Sequence, residues 1–208
     1  DYVIGELNSI EAELPAPRTN EYGRADKAAV WMLKSKLFIN GKVYTGTDKS
    51  TEALAEVEKV IGSAYKVAQI PYANLFKADN NTNGAQEEII FPINFDGIQT
   101  KTYGGTTYLI HASCTNEVGT TLGIDFGWQG FRVRQEFMNS VGNDQRVMRV
   151  AGSTDPAFIS DYSKFDQGSK LIKFSNKTSS GGNGSDANFT DADFPIFRMA
   201  DAYLMYAE

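Results

Sequence analysis

Across residues 25–39, apolar side chains fall on every side of a notional helix: Ala25, Ala28, Ala29, Val30, Trp31, Met32, Leu33, Leu37, Phe38 and Ile39. That spread predicts a helix covered by protein on both faces. Asn40 and Gly41 tolerate the left-handed conformation and are expected to end it, with residues 44–47 leading to a capped start at Asp48 or Ser50. In the next helix Ala53, Leu54, Val57, Val60 and Ile61 recur at three-and-four spacing, with Glu52, Glu56, Glu58 and Lys59 on the wet face and Gly62 as the stop. An antiparallel pair with alanines at the crossing is the unit of a helical-repeat architecture. One pair leaves the inner helix half covered, so further helices must stack on it.

The far end of the chain offers one. FPIFRMADAYLMYAE reads as a helix capped by Asp193, with Pro195 in its first turn and Ile196, Phe197, Ala200, Tyr203, Leu204 and Ala207 as its apolar positions. It reaches Glu208 with no stop signal. The opening DYVIGELNSIEAELP is an amphipathic helical pattern (Val3, Ile4, Leu7, Ile10, Leu14) with no initiator Met, so the expectation is a fragment truncated at both ends.

Between these helices the pattern changes. Residues 65–70 and 88–95 are short β-prone runs, the second demoted to an edge by Pro92, and 71–76 fits a short helix. Residues 96–125 are broken by Gly97, Gly104, Gly105, Gly119 and Gly123 and read as irregular. A short helix is expected around 134–140 and a strand at 170–174, followed by the polar surface loop SNKTSSGGNGSDANFT. The expected fold is mostly α: tetratricopeptide-like helical pairs with a large irregular loop-rich region carrying short β-strands. It forms one domain over 1–208, with a helical scaffold at 1–67 and 193–208 and the loop-rich region at 68–192.

Composition narrows the chemistry. A net charge of −6 leaves no basic surface with which to neutralise phosphates, so nucleic acid and anionic membrane surfaces are excluded as partners. Cys114 stands alone, which rules out an internal disulfide and a cysteine-based metal cluster, and with His111 as the one histidine a His-based zinc site is excluded too. On a helix His111 and Cys114 would share a face as base and nucleophile. Their Thr- and Gly-rich segment is not expected to be helical, so both are read as interior or loop residues. Asp79, Asn81, Asn83 and Gly84 match the start of a calcium loop, but the twelfth position is Ile90 and Glu87 and Glu88 come too early. An Asn/Gly surface turn is favoured there, with calcium kept as a candidate cofactor at Asp79, Asn81 and Asn83.

Aromatic residues are the remaining signal. Tyr103, Tyr108, Phe126, Trp128 and Phe131 lie within the irregular region, interleaved with Asn116, Asp125, Gln129, Arg132 and Arg134. Flat π faces beside hydrogen-bonding groups are what hold a sugar ring. Trp128 is the first candidate because Gly127 and Gly130 leave it sterically accessible, with Tyr103 and Tyr108 as further platforms and Arg132 and Gln129 as donors to hydroxyls. A core-anchor role for Trp128 is the alternative. A hydrolase would need two carboxyl groups at a defined distance across the fold, and no pair is singled out.

Several segments resemble the SusD/RagB family, the surface-exposed nutrient-binding lipoproteins of the Bacteroidota outer membrane. They are IEAELP, GRADKAAVWMLKSKLFINGKVYTG, IGSAYKV, NLFKADNNTNGAQEEIIFPI, GWQGFRVRQEF with the following DQR, and DFPIFRMADAYLMYAE, in which Arg198, Ala200, Asp201, Leu204, Ala207 and Glu208 carry the most specific match. The resemblance spans essentially the whole chain. It implies helical pairs supporting an irregular region and non-enzymatic binding of complex glycans at the cell surface. It also implies delivery of the glycan to a SusC-like TonB-dependent transporter, with a signal and lipidated cysteine upstream of Asp1. Some members of the family bind peptides instead.

Overall fold

The computed structural model describes residues 2–144, 146, 148–149, 158–165 and 167–208; Gln145 of the DQR motif lies outside them. In chain order the elements are α1 (Tyr2–Glu11), α2 (Lys27–Ile39), α3 (Gly41–Thr45), α4 (Ser50–Ile61), β1 (Ile89–Ile93), α5 (Gly105–Ala112), α6 (Asn116–Gly119), α7 (Gln135–Val141), β2 (Met148–Arg149), β3 (Leu171–Ile172), β4 (Phe194–Arg198) and α8 (Met199–Ala207), with short 3-10 turns at Tyr72–Phe76, Ala85–Glu87 and Thr120–Leu122. Two compact units result. One is Asp1–Gln69, Gly84–Ile93 and Pro195–Glu208, and the other Ile70–Asn83 and Asn94–Phe194. Among the described residues no helix is long and apolar enough to cross a membrane.

The first unit is helical. Its core joins Ala28, Ala29 and Met32 of α2, Val57 and Val60 of α4, and Met199 and Ala202 of α8 to Tyr65, Ile90 and Phe197. No residue of 25–39 is exposed, as the all-round pattern predicts. Asp26 starts α2: one carboxylate oxygen accepts the Ala28 and Ala29 N–H groups at 2.8 and 3.4 Å, and the other accepts the Arg18 N–H at 2.9 Å and the Tyr65 hydroxyl at 2.8 Å. Burial, and then the Asp26 charge, push the Tyr65 hydroxyl far above its ordinary pKa.

Several boundaries differ from the sequence pattern. α2 ends at Ile39 with Asn40 as its C-cap, as expected, but Asn40 is not left-handed (φ −91°) and a further short helix, α3, follows at once and closes at Gly46 with φ 76°. Lys49 occupies the N-cap of α4, and Asp48 instead accepts the Ser50 N–H at 2.9 Å. α1 buries Leu7 but leaves Val3 and Ile10 exposed. Glu11 ties it down by accepting the Trp31 indole N–H at 2.7 Å and the Lys34 ammonium. Residues 65–70 form no strand; the Lys66 N–H donates to the Glu87 carbonyl at 3.0 Å and the Ala68 N–H to the Glu88 carboxylate at 3.0 Å.

The largest correction concerns the C-terminal segment. Asp193 caps no helix, since Phe194–Arg198 is a strand paired with β1 and α8 starts only at Met199. Glu88, 2% exposed, enforces this: its carbonyl accepts the Met199 N–H at 3.0 Å and its carboxylate the Arg198 guanidinium at 2.6 Å. A distant partner overrides the local helical period.

The second unit is held by buried asparagines more than by regular sheet. Asn80 exchanges side-chain hydrogen bonds with the Asp193 backbone at 2.9 and 3.1 Å. Asn176 donates to the Gly123 and Asp186 carbonyls at 3.0 and 2.8 Å. These amides satisfy backbone groups that irregular chain would otherwise bury unpaired. Phe174 packs edge-on to Phe76 at 5.3 Å and stacks on Phe194 at 5.7 Å. β2 and β3 are antiparallel, Met148 opposite Ile172 and Arg149 opposite Leu171.

Candidate functional site

The segment 105–112, expected to be irregular, is helix α5. Thr106 and Thr107 are β-branched and weak helix formers, but both are buried with their hydroxyls 3.3 and 3.4 Å from the Thr190 hydroxyl, so tertiary contacts outweigh propensity. The strip 127–131 runs along the end of this helix. Its Trp128, Gln129 and Phe131 N–H groups donate to the carbonyls of His111, Cys114 and Ala112 at 2.7, 3.2 and 3.0 Å. Gly127 permits that approach: a Cβ there would lie 2.2 Å from the Cys114 carbonyl oxygen. Its role is close contact between backbones, not access to Trp128.

This docking gathers the predicted aromatics. Around the Trp128 indole stand Tyr103 at 5.9 Å, Tyr108 at 6.4 Å and Phe126 at 6.5 Å between ring centroids, all tilted by 52–55°. Tyr103 also meets Phe189 at 5.1 Å. Tyr103 and Tyr108 are 62% and 48% exposed and Phe126 46%, so three ring faces reach solvent together. Trp128 is half-buried, one face stacked on His111 at 4.4 Å and 23°. Sequence reasoning missed His111 as a member of this cluster, and no local pattern signals it.

The two polar candidates part company. Gln129 sits within the strip at φ 59°, half-buried. Arg132 is committed elsewhere: its guanidinium donates to the carbonyls of Tyr162, Lys164 and Gln167 at 2.9, 2.6 and 3.2 Å and lies over the Phe165 ring. It braces a loop, and those donors are not available to sugar hydroxyls. Asn116 accepts the Gly127 N–H at 3.1 Å, and Asp125 accepts the Phe126 N–H at 2.8 Å.

Two other candidates are spent inside the fold. Both Asp79 oxygens accept from Ser179, and Asn83 turns its amide donor toward Asp79 at 3.0 Å, while Asn81 is exposed. These contacts fasten the 177–183 loop and do not assemble the oxygen cage of a calcium site. Burial alone would raise the Asp79 pKa, but the Ser179 and Asn83 hydrogen bonds hold it below the ordinary value. Cys114 is fully buried with its thiol 3.5 Å from the Ile110 carbonyl, and burial pushes its pKa up to about 11. The His111 ring bonds the Phe126 carbonyl instead, so the two do not form a nucleophile and base pair.

Comparison with known proteins gives this geometry a context. Residues 143–208 match the SusD family, and the whole chain aligns at 34% identity over 254 residues with the starch-binding protein SusD of Bacteroides thetaiotaomicron, covering 46% of that protein. The chain is similar to the SusD family, whose pattern is matched at residues 143–208. A SusD superfamily protein from Parabacteroides distasonis has the same fold, with a TM-score of 0.67 at 18% identity over 99% of this chain and 44% of that one. So has a protein crystallised with a xylogluco-oligosaccharide, with a TM-score of 0.69 at 18% identity over 99% and 43%. The mostly α, tetratricopeptide-like reading of the sequence agrees with that fold. The chain spans about half the length of the SusD relatives it matches.

Proposed function

We propose that this protein binds a complex glycan at the cell surface, without chemical turnover, on the face formed by Tyr103, Tyr108, Phe126 and Trp128. One observation carries the reading: three exposed rings each lie within 6.5 Å of a half-buried indole whose backbone strip is fastened to the end of α5. Pyranose rings present apolar C–H faces that stack on such surfaces, while their hydroxyls take hydrogen bonds from neighbouring polar groups, here Gln129. The starch-binding name of the SusD relative makes a starch-type α-glucan the first ligand to try, and the xylogluco-oligosaccharide complex makes xyloglucan the second. In this reading the protein is an outer-membrane lipoprotein that passes its glycan to a SusC-like TonB-dependent transporter.

The test is titration of the protein with starch-derived and xyloglucan-derived oligosaccharides beside Tyr103→Ala, Tyr108→Ala and Trp128→Ala variants. Removing a stacking ring should weaken binding by about 1–3 kcal/mol, roughly 5- to 150-fold, with no new reducing ends released. Unchanged affinity in all three folded variants would overturn the site, and release of reducing ends would overturn the binding-only reading.

A further inference from the structure

His111 lies in the last turn of α5 and is completely buried. Three of its groups act on the strip that carries the aromatic face. The carbonyl accepts the Trp128 N–H at 2.7 Å. The imidazole stacks on the Trp128 indole at 4.4 Å and meets the Phe126 ring edge-on at 5.9 Å. Nδ1 lies 2.7 Å from the Phe126 carbonyl oxygen and 4.0 Å from the Asp125 carboxylate. A carbonyl can only accept, so Nδ1 carries a proton toward Phe126, while Nε2 is buried without a hydrogen-bond partner.

That unsatisfied nitrogen is informative, because burying it is a cost the fold could have avoided. Phenylalanine would stack under the indole with no orphan atom. Asparagine would present a donor near the Nδ1 position with no ring. Of the three, histidine alone does both, and both actions converge on the residues that make the face.

We infer that His111 is a positioning residue for glycan binding: its ring sets the tilt of the Trp128 indole, and its Nδ1–H fixes the turn at Phe126. The neighbouring faces are thereby held at one angle before the ligand arrives. This rests on the proposed glycan site at Trp128. Affinity then depends on pre-organisation, since a platform that must find its orientation on binding gives up part of its stacking energy.

The test uses a Trp31→Phe background, which leaves Trp128 as the single indole reporter. In it, His111→Phe keeps the stack and loses the donor, and His111→Asn keeps a donor and loses the stack. We expect His111→Phe to retain the parent's emission maximum and acrylamide accessibility and to lose affinity about two- to fivefold. His111→Asn should shift the emission to the red and lose affinity about tenfold or more, with native far-UV circular dichroism in both. A residue that served stability alone would lower the melting temperature without this split. Parental emission and affinity in His111→Asn, with binding lost in Trp128→Ala, would overturn this inference alone. Parental affinity in Trp128→Ala would overturn the glycan site and this inference with it.

Discussion

Gly127→Ala isolates the docking of the aromatic strip on α5 from the aromatic rings themselves. The added Cβ would stand 2.2 Å from the Cys114 carbonyl oxygen and 2.6 Å from the Thr115 carbonyl carbon, both backbone atoms that no rotamer change can clear. Carbon–oxygen contacts settle at about 3.3 Å or more, so the strip must retreat by about 1 Å. The Trp128 N–H, now 2.7 Å from the His111 carbonyl, and the Gln129 N–H, now 3.2 Å from the Cys114 carbonyl, would pass beyond hydrogen-bonding range. Two lost bonds at about 1 kcal/mol each, with buried carbonyls left unpaired, amount to about 2–4 kcal/mol against the docked strip.

Gly130 is the internal control. It has φ 94°, but nothing lies within 4 Å of where an added Cβ would stand, so Gly130→Ala meets only the left-handed strain of about 1–2 kcal/mol. Urea unfolding followed by indole emission, with glycan titration on the same samples, should therefore show Gly127→Ala destabilised more and binding at least about tenfold weaker, and Gly130→Ala binding nearly as the parent does. A Gly127→Ala protein with parental midpoint and parental affinity would refute the claim that this contact sets the face.

Two further predictions concern the helical unit. Asp26→Ala removes the cap of α2, strands the Arg18 N–H and leaves the Tyr65 hydroxyl only its longer bond to the Ile90 carbonyl at 3.3 Å, so urea denaturation should register a loss of about 2–4 kcal/mol, and Asp26→Asn, which keeps a capping oxygen, a smaller one. Burial acts to raise the Glu11 pKa, but its hydrogen bonds with Lys34 and Trp31 and the Lys34 charge hold it below 4.5. A lowered carboxylate pKa stabilises the fold above the unfolded value and loses that contribution as pH falls through the folded value. Stability of Glu11→Gln should therefore depend less steeply on pH below about 4.5 than that of the parent, as measured by urea midpoints across that range.

The helical pair was legible because its determinants are local. The apolar period through α2 and α4 reports burial directly, and the α8 residues Met199 and Ala202 join the same core. The C-terminal strand was not legible. FPIFR carries apolar residues at spacings a helix also accepts, and what makes it a strand is β1, with Glu88 lying 110 positions away from its Arg198 partner. α5 was hidden for a related reason, since Thr106 and Thr107 argue against a helix until Thr190 receives their hydroxyls.

At the candidate site, residue type was readable and residue duty was not. Tyr103 and Phe76 are both aromatic residues in loop-rich sequence, yet one is 62% and the other 2% exposed, and no periodicity distinguishes them. Arg132 has the donors a glycan site needs, but three carbonyls of a loop some thirty residues on claim them first. His111 shows the converse. Nothing in its neighbourhood along the chain marks it, and its importance to Trp128 exists only once the 127–131 strip has folded back on α5. Ring faces can thus be anticipated from composition, whereas their alignment depends on contacts between segments, and it is alignment that turns a group of aromatics into a surface able to select one ligand geometry over another.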